Sequence, residues 1–140
     1  MTYLKERGLD KLICSLTQPV LGICLGLQLM CSHSEEGNTD CLGIFPQKVK
    51  LFPAQEKVPQ IGWNDIFNLK TPIFKNIQEH SYVYFVHSYY AELGEHTIAT
   101  ANYMMDYSAA LQKDNFYAMQ YHPEKSGDIG EQMLKNFINL

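Results

Sequence analysis

No run of basic side chains occurs anywhere in the chain, and its net charge is −4. Together these exclude the electrostatic footprint by which proteins hold nucleic acid. No apolar stretch approaches the ~20 residues that a membrane-spanning helix needs. The first residues, Met1-Thr2-Tyr3-Leu4-Lys5-Glu6-Arg7, are charged and mixed, which predicts no signal peptide. Internal repeats and low-complexity segments are absent. Cysteine occurs only at Cys14, Cys24, Cys31 and Cys41. Without an export signal these read as reduced, cytoplasmic thiols. The length of 140 residues predicts one domain.

What is present is organised around Pro19-Val20-Leu21-Gly22-Ile23-Cys24-Leu25-Gly26-Leu27-Gln28. Val20–Ile23 reads as a short buried strand, and Leu25, Leu29 and Met30 recur at helical spacing. A nucleophile at a sharp strand-to-helix turn is an elbow. The two glycines let the backbone turn tightly, and Cys24 falls at a helix N-terminus. Its N–H groups and dipole favour a thiolate there and can hold an oxyanion. A plain core cysteine fits the same ten residues equally well.

Thr2–Leu16 reads as a helix interrupted by Gly8, with no capping residue at its start. A helix running straight into the elbow strand is one unit of an α/β fold that should have earlier units. The polar stretch Ser32–Asp40, with Cys31, His33, Glu35, Glu36, Asp40 and Cys41, fits no common zinc spacing and reads as a solvated loop. Lys48–Phe52, Asn64–Leu69, Tyr82–Val86 and Thr97–Ala101 read as strands. Ser108–Lys113 and Phe116–Tyr121 flank Asp114-Asn115, a two-residue hairpin turn. Asp128 and Glu131 stand at capping-box spacing before an amphipathic helix containing Met133, Leu134, Phe137 and Ile138. Trp63 is either a core aromatic or an interface anchor. His87, at a strand end, reads as a structural histidine.

His122 and Cys24 each end a strand, and in a parallel pair those ends share one edge, where active sites form. Pro123 restricts His122 to an extended backbone. Extended geometry through Pro123 would put Glu124 on the same side as His122. Glu124 can then orient one imidazole nitrogen while the other faces Cys24.

GICLGLQ followed by QYHPEKS resembles the class I, triad-type glutamine amidotransferases. VPQIGWN and YFVHSYY narrow the resemblance to glutaminase subunits that serve imidazole glycerol phosphate synthesis. The resemblance implies a flavodoxin-like three-layer α/β fold, with residues 1–140 as the C-terminal part of a single amidotransferase domain. The family's N-terminal strand–helix units, including a glycine-rich loop carrying a second oxyanion donor, have no counterpart before Met1. The chain alone is therefore expected to have little or no activity. The resemblance further implies that Cys24 attacks glutamine, His122 protonates the leaving ammonia and Glu124 orients His122. The Leu25 N–H would hold the oxyanion, and Gln28, Ser88 and Tyr89 would bind substrate. No cofactor and no metal are implied. The partner would be a (β/α)8-barrel cyclase in a heterodimer, docking near Trp63, Asn64 and Tyr84. Where the family often has histidine, this chain has Gln60. Alternatives are an amidotransferase subunit of another pathway or an inactive binding subunit. An α/β-hydrolase would place its acid before the histidine. A cysteine peptidase of the same fold would have histidine directly after the nucleophile, where Leu25 stands.

Overall fold

Phe116, Tyr117, Ala118 and Met119 alternate between two hydrophobic clusters, and this alternation defines the two faces of the central sheet. The computed structural model describes residues 1–140. Two short helices, α1 (Thr2–Glu6) and α2 (Leu9–Ser15), come first and contain no buried residue. The single helix expected over this segment is thus broken at Gly8. Then follow β1 (Val20–Ile23), α3 (Leu25–Met30), β2 (His33–Ser34), β3 (Thr39–Asp40), β4 (Lys48–Leu51), β5 (Gln60–Ile66), β6 (Ser81–His87), β7 (Tyr89–Ala91), β8 (Thr97–Tyr103), β9 (Met105–Lys113), β10 (Phe116–Met119) and α4 (Gly127–Ile138).

The main sheet runs β1-β10-β9-β7-β4-β2-β3, with β8 also paired to β9. It is mixed: β1 with β10 and β2 with β4 are parallel, and the other pairs are antiparallel. The expected hairpin forms, with Lys113 opposite Phe116. β5 and β6 make a separate antiparallel ribbon, with Trp63 directly opposite Tyr84. β5 begins earlier than the strand expected from Asn64.

α3 packs Leu27 and Met30 on one face of the sheet, with Phe45, Val49 and Leu111. α4 and the ribbon cover the other, where Met133, Val83, Phe85, Tyr107 and Tyr121 meet. This is the α/β layering expected. β1, whose apolar residues predict a central strand, pairs in this chain only with β10. The capping box expected at Asp128 and Glu131 does not form, because Ser126 holds the N-cap position of α4. Its hydroxyl is engaged elsewhere, donating to the His122 carbonyl at 2.6 Å and accepting the Tyr84 N–H at 3.0 Å.

Candidate active site

β1 and β10 run in register, Ile23 beside Met119, so the residues that follow each strand emerge at the same edge. Cys24 follows one and Gln120 the other. The Cys24 N–H donates to the Met119 carbonyl at 2.7 Å, and this anchors the turn to the neighbouring strand. The turn itself is sharp. Cys24 has φ +54° and ψ −103°, a conformation that a residue with a side chain rarely adopts. The two flanking glycines differ in role. A Cβ on Gly22 would lie 2.9 Å from the Gly26 carbonyl carbon and 3.0 Å from its oxygen, so strand and helix meet at a distance only glycine allows. A Cβ on Gly26 would meet nothing within 4 Å. The tight backbone expected at both glycines is thus needed at one of them and at Cys24 itself.

The thiol of Cys24 donates to the Val86 carbonyl at 3.8 Å, and the Gln120 side-chain N–H donates to Sγ at 3.6 Å. Burial raises the thiol above its usual value. The Leu25 N–H and the Gln120 amide pull the other way, Glu124 raises it further and Lys125 lowers it slightly. Burial thus opposes the helix N-terminus, which the sequence reads as favouring a thiolate. Desolvation is the largest of these influences on the thiol, which leaves a role for a base.

His122 keeps the expected extended backbone, φ −99° and ψ 97°. Its Nδ1 lies 2.6 Å from Glu124 Oε1. The contact arises differently from the expected alternation: Pro123–Lys125 forms a 3-10 turn that carries Glu124 back to the ring. The imidazole is mostly buried, its side chain 18% exposed, and Glu124 is the more open partner at 47%. No protein hydrogen bond engages Nε2 of His122 and none joins it directly to Cys24. The other surface histidines, His33, His80 and His96, each pair with a nearby carboxylate.

An open cavity of about 220 Å³ lies beside the thiol, lined in part by Leu25, Gln28, Ser88 and Tyr89. Gln28 is buried, and its amide N–H groups go to the Tyr89 carbonyl at 3.1 Å and to Gln120 Oε1 at 3.2 Å. Glu36 lines the same cavity, although its polar sequence neighbours read as a solvated loop. A carboxylate there can hold a ligand ammonium group, and no spacing signal marked it. His87 is buried among Phe52, Phe85 and Tyr107. Its Nδ1 lies 2.7 Å from the Tyr89 carbonyl and its Nε2 2.9 Å from Gln60 Oε1. Burial lowers it to about 4, which keeps the ring neutral.

The ribbon has a buried face and an open one. Gln60, Ile66, Val83, Phe85 and His87 are buried, whereas Ile61, Trp63 and Tyr82 are more than half exposed. Trp63 stands edge-on to Tyr84, ring centres 5.9 Å apart. Its exposure removes the core alternative. Asn64 faces inward and donates to the Asn102 carbonyl at 2.8 Å.

Fold and elbow define an amidotransferase: the family model for class I glutamine amidotransferases matches residues 5–140, and the chain belongs to that family. More particularly, it is 57% identical over 143 residues to imidazole glycerol phosphate synthase subunit HisH of Bacteroides fragilis, covering all of this chain and 73% of that protein. HisH of Haemophilus influenzae is 48% identical over 140 residues, covering 99% of this chain and 70% of its own length. A solved structure from Thermoplasma acidophilum, described as belonging to GMP synthase, shares the fold with a TM-score of 0.70 at 22% identity. That match covers 94% of this chain and 61% of the other.

Proposed function

We propose that this chain hydrolyses glutamine and delivers the ammonia for imidazole glycerol phosphate synthesis in the histidine pathway. Cys24 gives its proton to His122 Nε2 as Sγ bonds to the glutamine side-chain carbonyl carbon. The Leu25 N–H holds the resulting oxyanion. The C–N bond breaks as His122 returns the proton to the departing ammonia, leaving a glutamyl thioester. Water, deprotonated by His122, then releases glutamate and restores the thiol. Glu124 holds the ring and stabilises its cationic form in both half-reactions. Gln28, Glu36 and the Ser88–Tyr89 segment bind the amino acid, with the Glu36 carboxylate suited to its ammonium group.

Ammonia passes to a (β/α)8-barrel cyclase subunit, docked in a cytoplasmic heterodimer against the Trp63–Tyr84 face. The cyclase joins it to a phosphoribulosyl-formimino nucleotide, and the assembly acts as a lyase overall. The observation that carries this reading is the parallel register of β1 and β10, which sets Cys24 and the His122–Glu124 pair at one sheet edge. Treatment with diazo-oxo-norleucine followed by mass spectrometry should find the adduct on Cys24. Labelling mainly on Cys14, Cys31 or Cys41 would sink the assignment. Glutamate release in the presence of the cyclase tests the reaction, and its complete absence would leave a binding subunit.

A further inference from the structure

Gln120 is the one fully buried polar side chain at the elbow, with 0% exposure. It follows β10 and precedes His122 by two residues, and nothing in the mechanism above uses it. A side-chain amide taken out of water is costly unless its groups are satisfied. Those of Gln120 are satisfied by the two residues on which the chemistry depends. Its Nε2 donates to Cys24 Sγ at 3.6 Å, and its Oε1 accepts from Gln28 Nε2 at 3.2 Å.

The orientation of both amides is dictated from one fixed point. The Tyr89 carbonyl can only accept, so Gln28 must turn its NH2 group to it, at 3.1 Å. The same NH2 group then faces Gln120, which must answer with its oxygen. The NH2 of Gln120 is thereby turned to the sulfur. Two consequences follow. The Gln28 oxygen is left without a protein partner, at the wall of the cavity and free for a ligand N–H. A donor also stands on the sulfur before any charge develops there, and a donor to an ionised acceptor is worth more than one to a neutral acceptor.

We propose that Gln120 is a positioning residue that presents a hydrogen-bond donor to the Cys24 thiolate and, through its oxygen, locks the Gln28 amide for substrate. The inference rests on Cys24 being the nucleophile. Its contribution is distinct from that of His122: the histidine moves the proton, and the amide stabilises what remains on sulfur.

Two variants separate the halves of this role. Gln120→Glu keeps an oxygen for Gln28 and, when ionised, replaces the donor to sulfur with a negative charge. Gln120→Leu loses both. The measurement is the pH dependence of chloroacetamide alkylation, read by mass spectrometry on the Cys24 peptide, with the exposed Cys14 peptide as internal control. In both variants the Cys24 midpoint should rise by roughly one unit, about tenfold less thiolate at neutral pH, while Cys14 is unmoved. With the cyclase present, kcat for glutamate release should fall in both. KM for glutamine should rise clearly only in Gln120→Leu. Should either variant fail to fold, the side-chain 15N resonance of Gln120 in the unaltered protein should shift with the same midpoint as Cys24 alkylation. An unchanged midpoint in a folded variant, or a Gln120 resonance indifferent to Cys24 ionisation, overturns the proposal. A diazo-oxo-norleucine adduct elsewhere than Cys24 would instead overturn the assignment of the nucleophile.

Discussion

The backbone N–H of His122 donates to the carbonyl of Tyr84 at 3.0 Å. Ser126 closes the link from the other side, accepting the Tyr84 N–H and donating to the His122 carbonyl. Two residues further along β6, the Val86 carbonyl accepts from Cys24. The ribbon that carries Trp63 on its open face thus holds the backbone of His122 and touches the thiol of Cys24.

That connection makes Trp63 the first residue to test. Trp63→Ala should leave the fold largely intact, because the residue is 55% exposed. It should weaken cyclase binding by about 2 kcal/mol, as anchors of this kind do, or reduce the stimulation of glutaminase activity. Calorimetric titration against the cyclase decides it. Unchanged affinity together with unchanged stimulation would reduce Trp63 to an ordinary surface aromatic.

His122→Asn should lower glutamate release by several orders of magnitude, since proton removal from the thiol and proton delivery to ammonia are lost together. Glu124→Gln should cost less. The amide can still accept from His122 Nδ1, and only the charge beside the ring is gone. Both are read as kcat in the presence of the cyclase. Equal losses would mean that the charge of Glu124, and not only its hydrogen bond to the ring, is indispensable.

The elbow glycines should behave oppositely. Gly22→Ala forces a methyl against the Gly26 backbone, and such overpacking typically costs about 1–3 kcal/mol. Gly26→Ala enters open space within a helix, where alanine is favoured over glycine by up to about 1 kcal/mol. Urea denaturation should place the two midpoints on either side of the parent. A tolerated Gly22→Ala would show that β1 and α3 can part.

His87 makes stability fall with acid. Its folded value of about 4 lies below the ordinary 6.5, so the unfolded chain takes up a proton first. The stabilisation is complete above about pH 6.5, declines as pH falls from there, and is lost by about pH 4. Urea midpoints between pH 7 and pH 5 should drop more steeply for the parent than for His87→Gln. Parallel slopes would mean that another group controls the acid limb.

Much of the site was legible because it sits where local patterns are strongest. An apolar tetrapeptide, a cysteine between glycines and a histidine held extended by Pro123 are each visible without the fold. Four things were not. Glu36 reaches the cavity only when α3 and the following turn close over it, and a lone carboxylate among polar neighbours has no periodicity. Gln120 looks like one polar residue in a strand, and only burial shows that its partners are Cys24 and Gln28. The direction of the Cys24 shift depends on desolvation, a property of the packed sheet rather than of the helix that follows. Ser126, rather than Asp128, is the N-cap residue of α4, and its hydroxyl is committed to Tyr84 and His122 instead of the helix. The shortest strands, β2, β3 and β7, span only two or three residues, too few for alternation to register.

The backbone at Cys24 has a consequence for how this protein can change over time. Its left-handed conformation suits glycine better than any residue with a side chain. At this position a mutation from cysteine to glycine relieves strain, whereas large-to-small mutations at the neighbouring core positions cost stability. Robustness and chemistry therefore pull in opposite directions at a single codon. Under relaxed selection for ammonia production, drift at position 24 would run toward the sturdier, silent variant.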